Sequence, residues 1–233
     1  MSSTIDRSPE RVRGEIPAAS PLVRARIPLL VCGIAASLLY GTMIWVIRYD
    51  GYSPMSYTVS ELSAWGVSTR PLWMVLGTIY DALMIAFALG VWASAGEKRF
   101  LRIAGGLLFA YGLLGVAWPF AAMHQRNVLA VGGETAADTA HLILAGVTVA
   151  LMFAAMAFGA AAFGLWFRLY SIATIVVLLA FGGLTTSNAA RVAADLPTPW
   201  VGLWERINIC VFLLWVVVLA IVLLRNRDHR HAL

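Results

Sequence analysis

The chain has 233 residues, of which 61% are hydrophobic and 12% charged, with a mean hydropathy of +0.81 and a formal net charge of +5. An average globular domain is about 45–50% apolar and about 25% charged, so this composition excludes a water-soluble domain. The basic residues stand in short clusters beside apolar blocks, which excludes nucleic acid as the reason for the charge and makes them reporters of topology.

Residues 1–26 are rich in Ser, Pro and Arg, with Arg7, Arg11, Arg13, Arg24 and Arg26 set against Asp6, Glu10 and Glu15. They read as a disordered cytoplasmic tail. The first apolar block, Ile27–Ile47, runs on to Arg48 with no small-residue cleavage site, so it is expected to be a retained span rather than a signal peptide. Five more blocks follow: Pro71–Ala95, Ile103–Phe120, Thr139–Gly164, Leu169–Ser187 and Ile207–Leu224. Each is long enough for a hydrocarbon core of about 30 Å at about 1.5 Å per residue. With no water at that depth to satisfy backbone amides, each must be a helix.

The fold class expected is therefore all-α: a six-helix transmembrane bundle over residues 27–224, a basic cytoplasmic tail at 225–233, and a short interfacial helix in the first outer loop. Span three carries Gly105, Gly106, Gly112 and Gly115, and span four Ala154, Ala155, Gly159, Ala160 and Ala161, which suits close helix contact. One set of connections holds twelve of the seventeen basic residues and the other set five: Arg48, Arg70, Arg126, Arg191 and Arg206. The positive-inside rule then puts both termini in the cytoplasm of a cell-membrane protein. The aromatic anchors agree, with Trp45, Trp73, Trp118, Trp200 and Trp204 near outer ends and Trp92 and Trp166 near inner ones.

Chain order also gives the candidate functional residues. In the first outer loop, Thr58 and Glu61 fit a capping box and Gly66 a helix stop; Glu61 is either that cap or a carboxylate over the outer mouth of the bundle. Asp81 is the one charge inside span two, about 15 Å deep by helical rise. It is either a proton or cation site or a neutral, hydrogen-bonded brace, with Tyr111 at similar depth as a partner. The second outer loop holds His124, and Asp138 and His141 lie three apart at the entry to span four, where an Asp that orients a His would suit a general base or metal ligand. Thr135 and Asp138 are also a capping box. At the head of span six, adjacent Glu205 and Arg206 point in different directions, so each is expected to find a partner on another helix. All these outer residues, Glu61, Asp138, His141, Glu205 and Arg206, are expected to form one polar cluster in which Asp138 or Glu61 compensates Arg206 beside the positive end of its helix.

The arrangement resembles a bacterial integral membrane family catalogued as domain of unknown function 998. The resemblance rests on Ser60-Glu61-Leu62 with Gly66, Trp118-Pro119 closing span three, Asp138 to His141 opening span four, and Glu205-Arg206 before span six. It covers about Ile27–Leu224. One departure is that an acidic residue is expected soon after the span-three proline, where Phe120–Met123 are all apolar. The family carries no established activity, so the resemblance implies fold and topology only.

Three functions compete. The first is a structural or lipid-interacting protein whose polar residues stabilise the bundle, with Arg206, Glu205 and Asp81 as candidate binding residues and an anionic lipid headgroup as partner. The second is an outward-facing hydrolase acting on a lipid or small molecule, with Glu61, His124, Asp138 and His141 as catalytic candidates. A zinc site usually takes three protein ligands, and only two histidines lie outside the C-terminal tail, so neither metal nor cofactor is expected. The third is a proton-coupled transporter using Asp81, which needs a polar path that spans one, five and six furnish poorly; no three-plus-three repeat supports it.

Overall fold

The computed structural model describes residues 20–225, so the tail expectations for residues 1–19 and 226–233 lie outside the described residues. Of the expected N-terminal tail, the last residues are ordered: Ser20 Oγ accepts from the Val23 amide at 3.4 Å and starts a helical turn, Pro21–Arg24.

Six helices are long and apolar enough to cross a membrane. Their helical bodies are span one, Arg26–Val46; span two, Arg70–Ser94; span three, Arg99–Gly115; span four, Ala136–Ala162; span five, Leu165–Thr186; and span six, Val201–Arg225. Among the described residues there are no strands. Most boundaries fall within a turn of those expected from hydropathy. Span six differs most, starting six residues before Ile207, so that Glu205 and Arg206 lie inside the helix rather than ahead of it.

Consecutive spans pack on one another, and span six closes the ring against spans one and five. Its Phe212, Trp215, Val216 and Leu219 are fully buried and fill the centre. Lipid tails are as apolar as leucine, so packing and hydrogen bonds between helices, rather than water exclusion, hold such a bundle. The small residues serve that packing. A methyl on Gly112 would press on Ile85 of span two, and one on Gly159 would overlap the Trp215 ring. Polar groups tie spans in the same way: Ser37 Oγ donates to the Leu213 carbonyl at 3.1 Å, Asn208 Nδ2 to the Leu178 carbonyl at 2.6 Å, and Trp215 Nε1 to Ser171 Oγ at 2.9 Å. Each such bond contributes about 0.6 kcal/mol on average.

The connections at the end of the bundle opposite Ser20 and Arg225 fold over it as a cap. The first of them contains one 3-10 turn, Ser60–Ser63, in which Glu61 and Leu62 are buried. Strands of loop are stitched together without a sheet: the Trp65 amide donates to the Met123 carbonyl at 2.9 Å, and the Gly202 amide to the Met55 carbonyl at 3.0 Å.

Candidate functional site

The first outer loop folds around its own capping box. The Thr58 amide and hydroxyl donate to Glu61 Oε2 at 2.6 and 2.9 Å, and the Glu61 amide donates back to Thr58 Oγ1 at 3.3 Å. The 3-10 turn ends at Ser63 with Ala64 as its cap, so Gly66 is not its stop; it lies three residues beyond Ser63 at φ +84°, a left-handed conformation that suits glycine. Glu61 is 2% exposed, yet the cap uses only part of one carboxylate. Arg126 of the second outer loop takes the rest, with Nε to Oε1 at 2.5 Å and Nη2 to Oε2 at 2.9 Å. Such a forked pair is both strong and directional. Arg126 also donates to Thr198 Oγ1 at 2.8 Å and to the Ser56 carbonyl at 2.9 Å, and lies over the Tyr57 ring at 4.4 Å. One guanidinium therefore fastens all three outer loops. Burial lowers the hold of Arg126 on its proton, but the Glu61 carboxylate more than reverses this, and the net effect is upward.

Arg206 is 0% exposed and its partners are neutral. Nε donates to the Ile44 carbonyl at 2.9 Å; Nη1 to those of Pro54, Gly202 and Tyr57 at 2.7, 3.0 and 3.3 Å; and Nη2 to the Tyr52 hydroxyl at 2.6 Å. Tyr52 passes its own proton to the Thr58 carbonyl at 2.9 Å. Burial pushes the Tyr52 hydroxyl well above its ordinary value, with Arg206 working against that shift. Gly202 makes this cage feasible, because a methyl there would overlap the Tyr57 and Pro54 carbonyls. Glu205 turns the other way, as its position predicts, and accepts from the Val59 amide and from Ser60 Oγ at the start of the 3-10 turn. Arg206 thus finds one partner on another helix, the Ile44 carbonyl of span one, and most of the rest in the first outer loop, which also meets Glu205.

The expected five-residue cluster is thus divided. Glu61, Glu205 and Arg206 surround the first outer loop, but Arg206 is compensated by carbonyl dipoles and a tyrosine rather than by Asp138 or Glu61. Asp138 and His141 belong to a separate group. Asp138 closes the capping box at the head of span four, accepting from the Thr135 amide at 2.8 Å. The histidine it orients is His124, whose Nδ1 lies 2.8 Å from Oδ2 and whose amide donates to Oδ1 at 2.7 Å. His141 instead places Nδ1 2.8 Å from the Ala121 carbonyl and stands edge-on to Trp118 at 5.0 Å. The chain between Ala121 and Gln125 folds back over span four, which brings a histidine fourteen residues away nearer than one on the same helix. The His124 and Asp138 side chains are 23% and 14% exposed, so this pair is partly open, unlike the Glu61–Arg126 pair.

Asp81 packs against span three where Gly115 leaves room for its carboxyl, and a methyl on Gly115 would overlap it. Among the described residues Asp81 makes no hydrogen bond; Tyr111, the partner expected for it, binds Tyr80 hydroxyl to hydroxyl at 2.7 Å. Also among the described residues, no group of three or more His, Cys, Asp or Glu side chains converges as a metal site. Sequence reasoning missed Arg126, Tyr52, Thr198 and Gly202. A buried arginine in a loop otherwise counted for topology carries no local mark, and the glycine three residues beyond Pro199 was the one visible sign of close backbone approach.

A model of the family described as "Protein of unknown function (DUF998)" matches residues 31–222. No curated protein and no solved structure matches.

Proposed function

The chain belongs to the DUF998 family, and from that premise we propose that this multi-pass membrane protein is a structural, lipid-interacting bundle whose outer face is closed by a charge brace. The observation that carries the reading is the way the cap consumes its own polar groups. Every nitrogen of Arg206 donates to the protein, and both oxygens of Glu61 and of Glu205 accept from it. A guanidinium held in this way and 0% exposed is turned to the protein rather than to an anionic substrate. The brace sits on the outer side of the cell membrane, with both termini in the cytoplasm, as the basic residues divide.

A double-mutant cycle tests the brace. Glu61→Ala or Arg126→Ala leaves one charge buried and unpaired, a loss of about 3–5 kcal/mol. Replacing both by apolar residues of similar volume should recover most of the loss in melting temperature. A well-folded Arg126→Ala protein with unchanged melting temperature would refute the brace.

A second reading is favoured by one observation: His124 is oriented by a carboxylate through Nδ1 and is partly exposed. That is the arrangement of a general base in an outward-facing hydrolase. Ester hydrolysis lost in His124→Asn with stability kept would support it; identical rates in the two proteins would remove it.

A further inference from the structure

At the end of the bundle that carries the described termini, two turns are clasped together. Lys98 Nζ lies over the Phe163 ring at 4.9 Å, fastening the turn between spans two and three to the turn between spans four and five, and beside it Phe100 of span three packs on Phe158 of span four at 6.2 Å. In and next to these two turns stand Lys98, Arg99, Arg102 and Arg168, all exposed, against one exposed acid, Glu97. Arg102 curls back to the Gly96 carbonyl at 2.6 Å. Among the described residues, Arg99 and Arg168 make no side-chain hydrogen bond or ion pair. Beside them stand apolar side chains left in the open, with Trp166 at 83% exposure and Phe100 and Leu165 also exposed.

We propose that these two clasped turns form a binding surface for the headgroup of an anionic phospholipid. The chemistry is two-sided. Unpaired guanidiniums are weakly hydrated forks that fit phosphate oxygens. The adjoining Trp166 and Phe100 rings occupy the depth at which an acyl chain meets its headgroup, where aromatic residues are favoured. A soluble acidic peptide would engage the cations but give those rings no apolar medium. The occupant is therefore a lipid of the surrounding leaflet. This deepens the lipid-interacting reading above and rests on it, while the residues concerned lie at the other end of the bundle from the Glu61–Arg126 brace.

The test uses the full chain in neutral detergent, titrated with phosphatidylglycerol or phosphatidylcholine and followed by native mass spectrometry. Phosphatidylglycerol should bind more tightly, and its affinity should fall as salt rises because exposed charges are screened. Each basic residue near an anionic headgroup contributes about 1 kcal/mol, or about fivefold. Arg99→Gln/Arg168→Gln should accordingly weaken phosphatidylglycerol about 25-fold, the product of two such factors, and leave phosphatidylcholine unchanged. Both positions are exposed, so the melting temperature should stay that of the wild type, whereas brace variants should lose stability and keep lipid preference. Equal binding of the two lipids, a salt-independent preference, or equal competition by polyglutamate would overturn the proposal, and the first two need no variant.

Discussion

Replacing Arg206 by Met removes a fully buried charge and keeps an unbranched apolar stem, so the cost reads out what the guanidinium does for its cage. Two of its acceptors, the Ile44 and Pro54 carbonyls, have Arg206 as their hydrogen-bond partner and gain none in its place. An orphaned buried acceptor costs about 1–3 kcal/mol, giving about 2–6 kcal/mol for the pair. Swapping a whole buried ionic group for apolar residues is often neutral, but here the carbonyls belong to the backbone and cannot be removed with the arginine. At about 2–4 °C per kcal/mol for a chain of this size, the melting temperature in detergent should fall by roughly 4–24 °C. Arg206→Lys should fall between, because an ammonium has three donors against five and no planar fork. Gly202→Ala should act in the same direction, since its methyl would displace the carbonyls instead of the guanidinium. An Arg206→Met protein that melts with the wild type, by intrinsic fluorescence or calorimetry, would refute the view that the arginine holds the loop.

Asp81 should be uncharged in its niche against Gly115, so Asp81→Asn should fold and melt close to wild type while Asp81→Lys loses at least about 2.5 kcal/mol; equal melting of the two variants would show that the site is not enclosed. Reporter fusions after Arg102 and Leu233 should both give cytoplasmic signals, and a periplasmic signal from either would overturn the orientation. Burial, followed by the nearby Glu61 carboxylate, pushes the Tyr49 hydroxyl up to about 12. Its contribution to stability is full below the unfolded value of about 10 and is lost as pH rises through about 12. Difference absorbance of wild type against Tyr49→Phe should show that phenolate forming well above pH about 10, and ionisation at the ordinary value would contradict its burial.

Hydropathy made the spans legible because it is a property of contiguous residues. A run that cannot be solvated must be helical wherever the rest of the chain goes. Both capping boxes were legible for the same reason, Thr58 with Glu61 and Thr135 with Asp138, since each closes within four residues. The start of span six was not, because Glu205 and Arg206 look like a boundary until the first outer loop is seen to neutralise them inside the helix.

Partnerships between distant residues were decided by the tertiary structure alone. Glu61 and Arg126 are 65 residues apart, and neither advertises the other. Helical spacing pointed Asp138 toward His141, whereas the loop returned His124 to it, because a carboxylate at a helix head takes whichever donor the chain folds over it. The cage around Arg206 is least visible of all. Most of its acceptors are backbone carbonyls, which every residue possesses, and only the folding of Pro54–Tyr57 across Gly202 aims them at one guanidinium. Which segments must leave water is written in contiguous residues, whereas which buried charges meet depends on how the loops close in three dimensions and not on the order of residues along them.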